Sequence, residues 1–205
     1  QICSLCVGVC PNIALLTYEM APLRADLPAL AVANGTVVET GSTSFVVDQR
    51  LQIAVLTDLC NECGTCVTAC PTSGRPYVDK PRLYLDRVDF EAQESNAFML
   101  LGGGVMEARF DGSTHRLAAL GAGAVGAGAV GGRIEYTAPG FQAVLDRATL
   151  ALLDATPTGA AEGEDLSLRP AAVMATLLAG VTGSLPQVPT VAGGGTRVAH
   201  PGYAE

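Results

Sequence analysis

Cys60, Cys63, Cys66 and Cys70 run as CxxCxxCxxxC with Pro71 directly behind. Thiols at two-residue spacings let one tight loop wrap three iron corners of a 4Fe-4S cube, with backbone N–H groups turned toward the sulfurs. The fourth corner is then filled from elsewhere in the fold, so the pattern calls for a partner motif. QICSLCVGVCPN, at the start of the chain, supplies it: Cys3, Cys6 and Cys10 stand at the spacings of the second, third and fourth cysteines, with Pro11 behind. The missing first cysteine would fall immediately before Gln1. The expectation is a fragment of a longer chain, cut one residue after that ligand.

Crossed ligation follows from this geometry. Cys10, Cys60, Cys63 and Cys66 are expected to hold one complete cluster; Cys3, Cys6 and Cys70, with a ligand upstream of Gln1, would hold the other. Gly64 leaves room for backbone beside the inorganic core, and Pro11 and Pro71 redirect the chain away from it. The competing chemistry is zinc held as a structural staple. Zinc uses two CxxC pairs for one ion and has no need of the third and fourth cysteines of each run.

All seven cysteines lie in the two motifs. A structural disulfide framework would scatter them, so the expectation is a reducing, cytoplasmic compartment. The formal net charge is -8, which argues against nucleic acid or an anionic membrane as partner and suits basic docking faces. Eleven of the twelve basic residues are Arg, and Lys80 is the sole Lys. The uncharged run LAALGAGAVGAGAVGG is too short and too glycine-rich to span a membrane.

The elements that must position the cysteines can be read from local pattern. IALLTYEM reads as a short strand. TVVET, SFVVDQ and LQIAVLT are β-rich runs, separated by turn signals at Asn34-Gly35, Gly41-Ser42 and Asp48-Gln49-Arg50. They form a hairpin or meander inserted at 12–58 and are expected to cover one edge of the cluster core. PRLYLDRV is extended, and VMEARF and HRLAAL flank a hairpin turn at Asp111-Gly112. Pro139 opens a predicted helix with Phe141, Val144, Leu145, Ala148 and Leu152 on one face. A second starts near Pro170, with Val173, Met174, Leu177, Leu178 and Val181 as its apolar face.

The expected fold is therefore α+β: a two-cluster 4Fe-4S ferredoxin core over 1–102 with its β-rich insert, then a small C-terminal α/β extension of hairpin and helices at 103–185. Residues 186–205, rich in Pro and Gly, read as a loose tail.

The run LCNECGTCVTACPTSGRPYVDKPRLYLDRVDFEAQESNAFML resembles the C-terminal ferredoxin region of the selenate reductase iron-sulfur flavoprotein subunit family, which is glutamate-synthase-like. The likeness extends past the cysteines to GRPYVDK, the aromatic-containing strand after it, and an Asp-Phe followed by Ser-Asn and an apolar stretch. It covers residues 1–102 well and the segment to about 155 loosely. The resemblance implies an NADPH-dependent oxidoreductase whose FAD and NADPH domains lie upstream of Gln1. This chain would hold only its electron-transfer end, taking electrons from the upstream flavin domain or passing them to a redox partner subunit. A stand-alone ferredoxin-type carrier and a zinc-stapled structural module are the alternatives.

Other signals are weaker. GAGAVG at 121–126 fits GxGxxG, with Asp146 at the distance of a ribose-binding acid, but no βαβ unit surrounds it, so a loop is the better reading. His115 and His200 read as solvated residues. Asp58 and Glu62 flank the cluster loop as exposed charges, while Tyr18 and Tyr77 could shield a cluster or serve as core. No nucleophile stands beside a base and no carboxylate pair is placed for acid-base work, so no catalytic residue is assigned.

Overall fold

The computed structural model describes residues 3–120 and 132–191. In chain order its elements are α1 (Leu5–Val9), β1 (Leu15–Glu19), β2 (Leu23–Ala33), β3 (Thr36–Val47) and β4 (Leu51–Leu56). Next come α2 (Thr65–Thr68), α3 (Pro76–Asp79), β5 (Arg82–Leu83), α4 (Arg87–Glu91), β6 (Ala97–Gly102), β7 (Val105–Phe110) and β8 (Ser113–Leu120). The last are β9 (Arg133–Ala138), β10 (Phe141–Asp146), β11 (Leu152–Pro157), β12 (Asp165–Ser167) and α5 (Arg169–Ser184).

Nine strands form one sheet in the order β1-β4-β5-β6-β7-β8-β9-β10-β11, and β12-β2-β3 form a second. In the large sheet β5 runs parallel to both β4 and β6, and the remaining neighbours are antiparallel. Position 102, the expected domain boundary, falls at the β6–β7 turn, and the sheet continues across it. The main core lies where α5, the second sheet and one face of the large sheet meet, with Leu27, Leu30, Met106, Leu117, Tyr136, Met174 and Leu177 among its buried members.

The hairpin turns follow their sequence signals. Asn34 (φ 52) and Gly35 (φ 71) turn β2 into β3, and Asp111 (φ 50) and Gly112 (φ 74) turn β7 into β8, the paired left-handed geometry that fits the twist of two-residue hairpins. The Gly41-Ser42 turn does not form. Both residues lie inside β3, beside a one-residue irregularity opposite Ala29 and Leu30, so the extra residue is absorbed as a bulge. The insert also sits elsewhere than expected. β2 and β3 leave from the Glu19/Leu51 end of β1 and β4, and Ala25, Leu27, Leu30, Val32 and Phe45 pack into the main core rather than over the cysteines.

The predicted helix after Pro139 is a hairpin, β9–β10, followed by β11. Phe141, Ala143 and Leu145 are buried in alternation with Gln142 and Val144, a period of two that competes with the helical spacing of the same apolar residues. Gly140 turns the hairpin at φ 88. Asp146 then stops β10, its carboxylate accepting N–H bonds from Ala148 and Thr149. The second predicted helix is α5, which buries Met174, Leu177, Leu178 and Val181 as expected. The segment after it is not loose as far as Val191: Val188 and Val191 are buried, and Val191 N–H donates to the Leu100 carbonyl at 2.7 Å. The GAGAVG tract and His200 lie outside the described residues. No described helix is long and apolar enough to cross a membrane.

Candidate metal centre

Strand pairing brings the two cysteine runs together. β1 and β4 are antiparallel, with Leu15 opposite Val55, and Leu56 N–H donates to the Ala14 carbonyl at 2.8 Å. The chain enters β1 just after Cys10 and leaves β4 just before Cys60. Antiparallel pairing puts those two ends side by side. The long insert between them closes at the opposite end and does not disturb this.

At that edge Cys10, Cys60, Cys63 and Cys66 line one recess of about 280 Å³, counting its open mouth, together with Leu15, Gly64, Glu62 and Tyr77. Its floor is a small apolar cluster of Cys6, Cys66, Leu15, Ile53 and Val55. Gly64 adopts φ 78 at the start of α2, a left-handed conformation that glycine takes without cost. Among the described residues no three His, Cys, Asp or Glu side chains converge as they would around a single metal ion.

The backbone repeats itself with a shift of sixty positions. Ser4 and Gly64 are the left-handed residues that precede α1 and α2, and Ile13 and Ser73 both take φ 55 in the turn after the proline. Ala14 N–H donates to Cys10 Sγ and Gly74 N–H to Cys70 Sγ, each at 3.3 Å. Such N–H groups favour the thiolate and are among the contacts that tune a cluster's sulfurs. Hydroxyls add to them: Cys63 Sγ and Thr65 Oγ1, and Cys70 Sγ and Thr72 Oγ1, each share a hydrogen bond at 3.3 Å.

These contacts sort the thiols. The Thr65 hydroxyl, with backbone N–H groups, holds Cys63 below the usual thiol range, and Thr72 does the same for Cys70. Burial pushes Cys6 and Cys60 up, and neighbouring thiols add to the rise. Lys80 exerts a lowering charge on both Cys6 and Cys70, which relates two of the second set's three thiols. Cys3 is exposed, Cys6 buried and Cys70 half-buried.

Other expectations divide. Tyr77 lines the recess, but Tyr18 belongs to the main core, where burial pushes its phenol up to about 12. Asp58 is exposed and accepts a hydrogen bond from Leu85 N–H at 3.1 Å. His115 is not solvated. It is half-buried against the Phe110 ring, with Nδ1 2.5 Å from the Tyr136 hydroxyl, because the outward-reading HRLAAL strand has β9 as a neighbour that local pattern does not reveal. Thr65, Thr72, Lys80 and the turn residue Ile13 were missed by motif reading. Aligning the two cysteine runs residue by residue would have exposed the turn position at least.

Comparison with known proteins agrees with this chemistry. Residues 53–73 match the 4Fe-4S binding domain family. The chain is 31% identical over 99 residues to the protein named "Putative oxidoreductase YgfK" in Escherichia coli strain K12, and equally to its counterpart in Escherichia coli O157:H7. Those matches cover 48% of this chain and 7% of each relative, so the chain spans a small part of the proteins it resembles. No solved structure matches. These likenesses support an iron-sulfur, oxidoreductase-like protein.

Proposed function

We propose that this chain is an electron-transfer module holding two 4Fe-4S clusters in a ferredoxin-like arrangement, and that it forms the C-terminal part of a flavin- and NADPH-dependent oxidoreductase. The observation that carries the reading is Cys10 lining the same recess as Cys60, Cys63 and Cys66. Four thiols line one recess, the number of corners a cubane offers, with an N–H donor on Cys10 Sγ and a hydroxyl contact on Cys63 Sγ. A bound cubane supplies a one-electron site. The protein's part is to hold it at a fixed edge, keep Cys66 and Leu15 between it and the core, and set its potential through charges and N–H donors.

Cys3, Cys6 and Cys70 are the proposed ligands of the second cluster, with a fourth ligand upstream of Gln1. The backbone repeat supports this, since each run carries the same turn and the same N–H to its last sulfur. FAD and NADPH belong to upstream domains in this reading, and the flavin domain or a redox subunit is the electron partner. The named oxidoreductase relatives, far longer than the matched segment, support a fused module over a separate carrier.

The test is anaerobic reconstitution followed by iron and sulfide analysis and EPR after dithionite reduction. The expected result is iron and sulfide in equal amounts with a reduced-cluster signal. Zinc in place of iron, with no signal, would overturn the reading in favour of a structural staple.

A further inference from the structure

Both cysteine runs turn back toward the sheet through a left-handed residue, and the two copies fill that position differently. Ser73 occupies it in one run and Ile13 in the other, each at φ 55. A β-branched side chain is poorly tolerated there, whereas Gly or Asn would satisfy the turn at little cost. Ile13 gains nothing from the core to offset this, because its side chain is 68% exposed. An apolar residue held in a strained conformation and pointed at solvent marks a place where contact with something else recovers the loss.

Its surroundings are of the same kind. The Leu56 N–H to Ala14 carbonyl bond sets Ile13 beside the turn that ends at Leu59, and Leu59 is 42% exposed. Leu5 and Val9, one helical turn apart on α1, are also exposed. In sequence each of the four lies within three positions of Cys3, Cys10 or Cys60. Two carboxylates lie beside them, since Glu62 lines the recess and exposed Asp58 precedes Leu59; no Lys or Arg is among the described residues of the lining, and Arg82 behind it partly offsets Glu62.

We propose that Ile13, Leu59 and the Leu5/Val9 side of α1 form the docking face for a redox protein or domain whose own cofactor edge is apolar and ringed by basic residues. The apolar collar would seat the partner against the recess that holds Cys10 and Cys60, and the carboxylates would steer its basic rim. This rests on the cluster reading above. One electron leaves the reduced cluster and enters the partner's cofactor; no bond or proton need move.

The experiment uses the full chain with its clusters reconstituted and reduced, mixed rapidly with ferric cytochrome c, a protein with an apolar haem edge inside a ring of lysines. Benzoquinone serves as a small acceptor that needs no docking face. The variants are Ile13→Asn, which suits the left-handed turn, Leu59→Asn, and the two combined. The expected result is that the second-order rate constant with cytochrome c falls at least about fivefold in the double variant. The quinone rate and the EPR signal should not change, and the wild-type cytochrome c rate should fall as salt rises. An unchanged cytochrome c rate in the double variant overturns the docking face while leaving the clusters in place. Absence of iron and sulfide from the wild-type chain removes the cluster reading and the docking face with it. Should the double variant fold poorly, Ile13→Gly carries the same test, since it removes the side chain and relaxes the turn.

Discussion

Cys10 and Cys60 line one recess although an entire inserted hairpin separates them in sequence, because β1 begins where β4 ends. The pairing makes a sharp prediction about which thiols act together. Cys10→Ser and Cys60→Ser should each remove the same cluster and leave the same residual EPR signal, with iron per chain falling by about half. Cys70→Ser should leave the complementary signal. If Cys10→Ser instead matches Cys70→Ser, ligation is not crossed and the assignment of Cys10 fails.

The metal-free chain should show the order of its thiols directly. Hydroxyl and backbone donors hold Cys63 and Cys70 low, while burial holds Cys6 and Cys60 high, and it is the thiolate that attacks an alkylating agent. Brief iodoacetamide treatment near neutral pH, read by peptide mass spectrometry, should label Cys63 and Cys70 before Cys6 and Cys60. Thr65→Val should slow Cys63 and leave Cys70 alone. Equal labelling of all four would show that the hydroxyl contacts do not govern reactivity.

The cysteine chemistry was legible in the sequence because it depends on covalent spacing, which folding leaves untouched. Crossed ligation called for Cys10 near Cys60, Cys63 and Cys66, and the structure places all four along one recess. What the sequence concealed lay in long-range pairing. Phe141, Val144 and Leu145 fit a helix by spacing, yet β9 and β11 on either side convert the stretch to a strand, where Phe141, Ala143 and Leu145 face inward. His115 looked solvated because nothing near it in sequence announces Tyr136. The insert's direction was hidden for a similar reason: β-rich runs reveal strands, and only their partners decide which core they cover.

His115 should make stability depend on pH in the mildly acidic range. Burial pushes its imidazole below the usual value of 6.5, partly opposed by Asp111. With the folded pKa below the unfolded one, the unfolded chain binds more protons in the window between them. Stability is therefore full above 6.5 and is lost as pH falls from there toward the folded value. Thermal melts from pH 7.5 to 5 should show a declining Tm in the wild type and a shallower decline in His115→Gln, which keeps a polar partner for Tyr136. Parallel curves would remove His115 as the cause.

Gly180 and Tyr18 set how closely α5 can approach β1, and hence how firmly the strand that follows Cys10 is held. A methyl group at Gly180 would lie 2.4 Å from Tyr18 Cδ2 and 2.7 Å from Cε2, inside contact distance with a ring only 5% exposed. Ser184, one helical turn on, accepts from Glu19 N–H at 2.9 Å and donates to the Glu19 carbonyl at 3.2 Å, so the helix cannot slide away freely. Two effects oppose each other in Gly180→Ala. Helix propensity favours alanine by about 1 kcal/mol, while overpacking a filled core costs about 1–3 kcal/mol. The overlap is with a fixed ring rather than a flexible side-chain end, so the upper part of that range applies. The net should be a destabilisation of about 1–2 kcal/mol, or a Tm lower by roughly 2–8 °C for a chain of this size. Gly8→Ala is the matched control, because a methyl at Gly8 meets nothing within 4 Å. It should leave Tm unchanged or raise it. Gly180→Ala as stable as the wild type would mean that α5 and β1 can part without loss, and that the strand beside the cysteines is not anchored by this contact.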